Sequence, residues 1–292
     1  MDNPPSRTCG ALAVLVQFAL RLAFGLAFAM ALLSPQQVRS RFFQVHLYVL
    51  LGLHSLAAAL AWLAPDRFPL WPPITGAVLC YVASVLWPHQ NPRWGRAMLV
   101  VIAGVSLVAA LLAAPEHDSQ VAAASDGEQS AADPLASNPP QLQPRHSIPA
   151  AAITILGCLD PVTSGLLLGA GMAAMLLGHW YLNAPGMKLE PLRMLILLTV
   201  MATLLRAAVC GTGLIWQMAD IPQFPPTDVA LFLGLRWLAG LLAPLVLAWM
   251  TWQTLKIPNT QSATGILYVV VIVTFIGELS SQLLSAAYPL PL

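Results

Sequence analysis

Charge is scarce in this chain: 13 Lys or Arg and 12 Asp or Glu make up only 9% of its 292 residues. A water-soluble domain carries roughly a quarter of its residues as charged types, because its surface must be solvated. The shortage argues against the two soluble domains that the length alone would allow. An excess of either sign is missing too. A net charge of +1 and a sequence pI near 7.8 leave nothing to attract nucleic acid or an acidic substrate. Cysteine is sparse, with Cys9, Cys80, Cys158 and Cys210 standing singly and no C-x-x-C spacing, which argues against a disulfide framework or a zinc site. There is no phosphate-cradling glycine loop, no H-E-x-x-H, no G-x-S-x-G and no close pair of intramembrane aspartates. Hydrolase and nucleotide-driven mechanisms therefore have no residues to stand on, and no catalytic residue is assigned.

What the chain has instead is apolar length. Hydrophobic residues make up 58% of it, and its mean hydropathy is +0.74. Apolar runs predict eight spans, at 11–33, 43–64, 71–87, 97–114, 161–182, 192–216, 229–253 and 263–285. Each reaches the 17 or so residues needed to cross a hydrocarbon core, the third and fourth only just. The expected fold is an all-α, polytopic membrane helix bundle in the lipid bilayer, in two blocks of four spans. Trp71 and Trp87, at the two ends of the third span, are expected at the headgroup boundary. The start of the chain reads as a retained first span. Ser6, Arg7 and Thr8 before Cys9 do not suit a lipidation site, and Arg21 interrupts the apolar run a signal peptide would need.

Orientation follows from the basic residues. Arg39, Arg41, Arg93, Arg96, Lys188, Arg193 and Lys256 fall in or beside one set of short loops, against Arg7, Arg67 and Arg145 on the other side. The positive-inside rule then puts both termini outside the cytoplasm, in the inner membrane if the protein is bacterial. Residues 115–149, including PEHDSQVAAASDGEQSAADPLASNPP, are rich in Ser, Ala, Gln, Asp and Pro and have nothing to bury. They read as a disordered extracytoplasmic linker between a first block (1–114) and a second (150–292). Similarity between the blocks is too faint to support a repeat.

In the fifth span, Gly165, Gly169 and Ala173 recur every four residues and line one helical face with small side chains, a signal for close helix packing. Asp160 and Pro161 just before it suit the first turn of a helix, with Asp160 as its cap. The informative residues are the ionisable ones inside spans: Arg21, His54, Arg206, Arg236 and Glu278. Charges at such depth normally face the bundle interior or a wet cavity and have partners. In one reading Glu278 pairs with Arg206 or Arg236, Asp160 takes up the other arginine, and the set locks the second block together. In the other, the arginines bind an anionic or carbonyl-bearing ligand and Glu278 carries a proton. His54 is deep and alone on its helix face, which suits a hydrogen-bonded core histidine.

His46 and His179 each lie three residues inside the cytoplasmic end of their spans. A haem b held between two helices needs such a pair, with Arg39, Arg41, Lys188 or Arg193 within reach of its propionates. The alternative is interfacial anchoring, since His179, Trp180 and Tyr181 are adjacent and polar-tipped. Three functional classes follow. The first is a membrane-embedded subunit of a larger complex, holding haem or a quinone-like ligand beside other membrane subunits. The second is a transporter for a small organic anion, and the third is a structural or assembly protein with no ligand.

Overall fold

The computed structural model describes residues 5–64, 68–87, 92–114, 150–184, 186–220, 227–257 and 259–285, and among these every regular element is helical. In chain order, α1 spans Pro5–Leu32, α2 Ser40–Trp62, α3 Trp71–Leu86, α4 Pro92–Leu112, α5 Ala150–Asn183 and α6 Glu190–Asp220. α7 (Thr227–Trp237) continues through a π-helical turn at Leu238–Leu242 into α8 (Ala243–Thr254), and α9 is Thr260–Ser285. Leu and Ala dominate these segments, and they lose little on entering a helix. In lipid a helix also satisfies its own backbone polar groups. Among the described residues, seven helices, α7 and α8 counting as one across the turn, are long and apolar enough to cross a membrane. α3 has 16 residues and a length of about 24 Å, shorter than the hydrocarbon core. The protein is a multi-pass helical membrane bundle. The linker expected at 115–149 lies outside the described residues.

Packing differs from the sequence expectation in two places. α5 begins at Ala150, ten residues before the expected cap, and carries Pro161 in its interior. Membrane helices tolerate an internal proline better than soluble ones, because neighbouring helices can compensate for the lost backbone bond. Asp160 is therefore more than two turns inside the helix and does not cap its start. Trp71 is 58% exposed, as a boundary residue should be, but Trp87 is 8% exposed. Its ring stacks on Phe43 with centroids 4.8 Å apart, so it belongs to the core, where its large surface is removed from lipid by an aromatic partner.

The tightest approach is between α1 and α5. A methyl group added at Gly169 would overlap the backbone of Gly25 and Leu26, and one added at Gly25 would overlap the Gly165 carbonyl. The small face of α5 thus has α1 as its partner. α9 meets the π turn in a similar way, with Gly277 against Gly240. That turn has a local cause. Pro244 follows it and would clash with the carbonyl four residues back, at Gly240, in a regular α-helix. Widening by one residue avoids the clash, and the Ala243 N–H donates to Leu238 O, five residues back.

Basic residues cap neighbouring helices at one end of the bundle. Arg96 at the start of α4 donates to Leu33 O just past α1, at 3.4 Å, and Arg193 near the start of α6 donates to Leu255 O just past α8, at 3.2 Å. Both place a cation on the negative end of a helix dipole. Apolar side chains such as Val100, Leu205 and Ile272 face outward, as a lipid-facing surface requires.

Candidate functional site

Five helices each contribute one charged side chain to a single buried chain of ion pairs. Arg21 (α1) places Nη1 2.7 Å from Asp160 Oδ2 (α5). Asp160 Oδ1 lies 2.5 Å from Arg206 Nη1 (α6). Arg206 then grips Glu278 (α9) side-on, with Nε donating to Oε1 and Nη2 to Oε2, both at 3.1 Å. Arg236 (α7) closes the row with Nη1 3.0 Å from Glu278 Oε1. The charges alternate along the row, which is the arrangement that best offsets desolvation. Arg206, Arg236 and Glu278 are wholly buried, and Arg21 and Asp160 nearly so.

The members differ in how well they are satisfied. Arg206 also donates to the Asp160 carbonyl, Thr163 Oγ1 and Ser281 Oγ, each at 3.3 Å. Arg21 donates from Nη2 to Gln17 Oε1 at 2.5 Å, and Gln17 in turn donates to the Ala113 carbonyl. The Nε of Arg21 has no hydrogen-bond acceptor among the described residues. Arg236 shares that lack and has a weaker acceptor at Nη2, Cys210 Sγ at 3.2 Å. Above and below Glu278 on α9, one helical turn away in each direction, lie Thr274 and Gln282. Both are buried, and neither the Thr274 hydroxyl nor either end of the Gln282 carboxamide has a partner among the described residues.

Among the described residues, three guanidiniums face two carboxylates. A guanidinium has no accessible neutral form, so the group carries one positive charge that its own carboxylates do not offset. The excess falls at the Arg236 end, because Asp160 is shared by Arg21 and Arg206 while Glu278 gives both oxygens to Arg206 and only one of them to Arg236.

The remaining sequence-predicted residues lie elsewhere. His54 is wholly buried between α2, α3 and α4, with Nδ1 2.8 Å from Leu50 O and Nε2 2.9 Å from Ser106 Oγ. The ring rests against Gly76, where a methyl group would overlap it. It is a hydrogen-bonded core histidine and takes no part in the charge row. His46 Nδ1 lies 2.5 Å from Phe42 O, and its ring packs on Phe42 and Trp180. His179 Nδ1 lies 3.2 Å from Tyr268 Oη on α9. His179 and Trp180 are about 100° apart around α5. His46 sits on the Trp180 side and His179 turns toward α9, so the pair that a haem would need is not brought face to face.

Four residues of this neighbourhood escaped the sequence reading. Thr274 and Gln282 had a readable signal, because both lie four residues from Glu278 and so share its helix face. Gln17 is likewise four residues before Arg21. Cys210 had none, since only the tertiary fold brings it to Arg236, 26 residues away in sequence. The chain matches no known protein family, no curated protein and no solved structure.

Proposed function

We propose that this multi-pass membrane protein binds a small organic anion at the Arg236 end of the buried charge row and carries it through the bundle. The observation that carries the reading is the unbalanced count, among the described residues, of three buried guanidiniums against two carboxylates. A purely structural lock is best served by equal numbers, because an uncompensated charge in a low-dielectric interior is costly. A monovalent anion brings the group to neutrality. The Arg236 Nε and, one turn from Glu278, the Gln282 carboxamide are donors without an acceptor among the described residues, and a carboxylate is the acceptor that a guanidinium pairs with best. A π turn begins two residues after Arg236, at Leu238, and such turns are frequent at functional sites.

The test is counter-flow in liposomes containing the purified chain, with radiolabelled short monocarboxylates. Wild-type protein should exchange at least one of them, and Arg236→Met should abolish exchange while Lys256→Met leaves it intact. Exchange unaffected by Arg236→Met would remove the site. Absence of exchange or binding across monocarboxylates, with a melting midpoint indifferent to all of them, would favour the structural reading.

A further inference from the structure

At the basic end of the bundle, two loops flank an open recess of about 450 Å³ lined by Gln36, Gln37, Arg39, Gly186, Met187 and Lys188. Such a volume lies within the range of small-ligand sites, roughly 300–1,000 Å³. Its lining holds two full cations and two carboxamides able to donate, and no carboxylate. The nearest acid along the chain, Glu190, is not among the lining residues.

Both walls are built. In the α1–α2 loop, Ser34 O accepts from the backbone N–H groups of Gln37 and Val38, at 3.0 and 3.1 Å, and Val38 is an apolar anchor, 2% exposed. In the α5–α6 loop, the Tyr181 hydroxyl donates to the Lys188 carbonyl. Gly186 there holds φ at +88°, a backbone conformation that residues with side chains rarely adopt. The cations therefore extend from fixed backbone on two sides of one space.

The cavity also has a defined height. It lies where α1 and α5 end and α2 and α6 begin, which is the polar boundary of four long apolar helices. Leu32 and Leu182, the apolar residues at the ends of α1 and α5, are 42% and 44% exposed. At that boundary the abundant anions are phosphodiesters, and basic recesses between membrane helices are suited to them. Arg offers a planar fork to phosphate oxygens and Lys a point charge.

We propose that this recess is a phosphate-binding site, seating the headgroup phosphate of an anionic phospholipid between Arg39 and Lys188 while its acyl chains run past Leu32 and Leu182. It is independent of the buried charge row.

The test uses the full chain in non-ionic detergent, titrated with phosphatidylglycerol or phosphatidylcholine, with bound lipid read by native mass spectrometry. Phosphatidylglycerol should bind in preference to phosphatidylcholine. Replacing both lining cations (Arg39→Gln with Lys188→Gln) should weaken it by about tenfold or more, since each basic residue near a lipid surface contributes several-fold. The paired change Arg41→Gln with Lys256→Gln removes two charges at the same end but outside the cavity, and should weaken binding less than the lining pair does, because salt screens charges that do not touch the phosphate. The exchange Arg39→Lys with Lys188→Arg should retain binding. Glycerol phosphate and inorganic phosphate form a second arm. Displacement of phosphatidylglycerol by either at millimolar concentration identifies a soluble phosphate as an occupant of the same site, and resistance identifies the lipid. Equal weakening by the two double variants, or no preference for phosphatidylglycerol in the wild type, would overturn the proposal.

Discussion

An arginine inside hydrocarbon cannot shed its proton, so its neighbours must supply the negative charge or the helix must not insert. Glu278 serves two such arginines, and the consequences of removing each partner are unequal. Glu278→Gln leaves three guanidiniums with only Asp160 and should destabilise by about 3–5 kcal/mol, the usual effect of breaking a buried pair from one side. Arg236→Met instead leaves two arginines against two carboxylates, with the side-on Arg206–Glu278 contact intact. It should melt within a few degrees of wild type while losing anion exchange. Thermal melting of both variants in one detergent checks the order, and an Arg236→Met loss as large as that of Glu278→Gln would mean the arginine is structural. His54 offers a second test at this scale. Ser106→Ala removes the group facing His54 Nε2 and should cost about 1–3 kcal/mol as an unmet buried polar atom. Combining it with His54→Leu should recover much of that loss, which melting curves of the single and double variants would reveal.

Helix positions in this bundle depend on where backbones can touch. Without a hydrophobic driving force between helices in lipid, association rests on close van der Waals contact, and small residues permit it. Gly25, Gly165 and Gly169 place α1 against α5, and that contact also brings Arg21 within 2.7 Å of Asp160. A methyl group at Gly169 meets backbone rather than a flexible side chain, so the helices must move apart. Gly169→Ala should destabilise by about 1–3 kcal/mol, as overpacking does. Gly157→Ala, on the same helix with nothing within 4 Å of the added carbon, should be neutral or stabilising by up to about 1 kcal/mol through helix propensity. The same chemical change with opposite signs separates packing from propensity, and melting in detergent reads it directly. Equal effects would mean the α1–α5 contact contributes little.

At the scale of the whole molecule, the distribution of seven basic residues against three makes a topological prediction. Reporter fusions after residues 40, 90, 187 and 258 should behave as cytoplasmic and one within 120–145 as external, and an external signal from any two of the first four would reverse the orientation. The membrane class, the long spans and the shortness of α3 were all legible in the sequence, because they depend on apolar length along one helix axis. The depth of Arg21, Arg206, Arg236 and Glu278 could be read the same way, from a rise of about 1.5 Å per residue. Azimuth could not. Lipid-spanning helices are apolar nearly all round, so periodicity does not say which face meets which neighbour. His46 and His179 share a depth and still turn to different partners for that reason. The start of α5 was misplaced because Asp160 and Pro161 have the composition of a first turn. In the bundle, two arginines engage the carboxylate instead, and the helix continues through the proline. Which arginine meets which acid, across separations of 46 and 72 residues, was decided only by the packing of five helices. Sequence determined that charges fell inside apolar spans, where burial follows. Tertiary structure decided that they form one row with a positive charge left over, because pairing is a property of distances between helices.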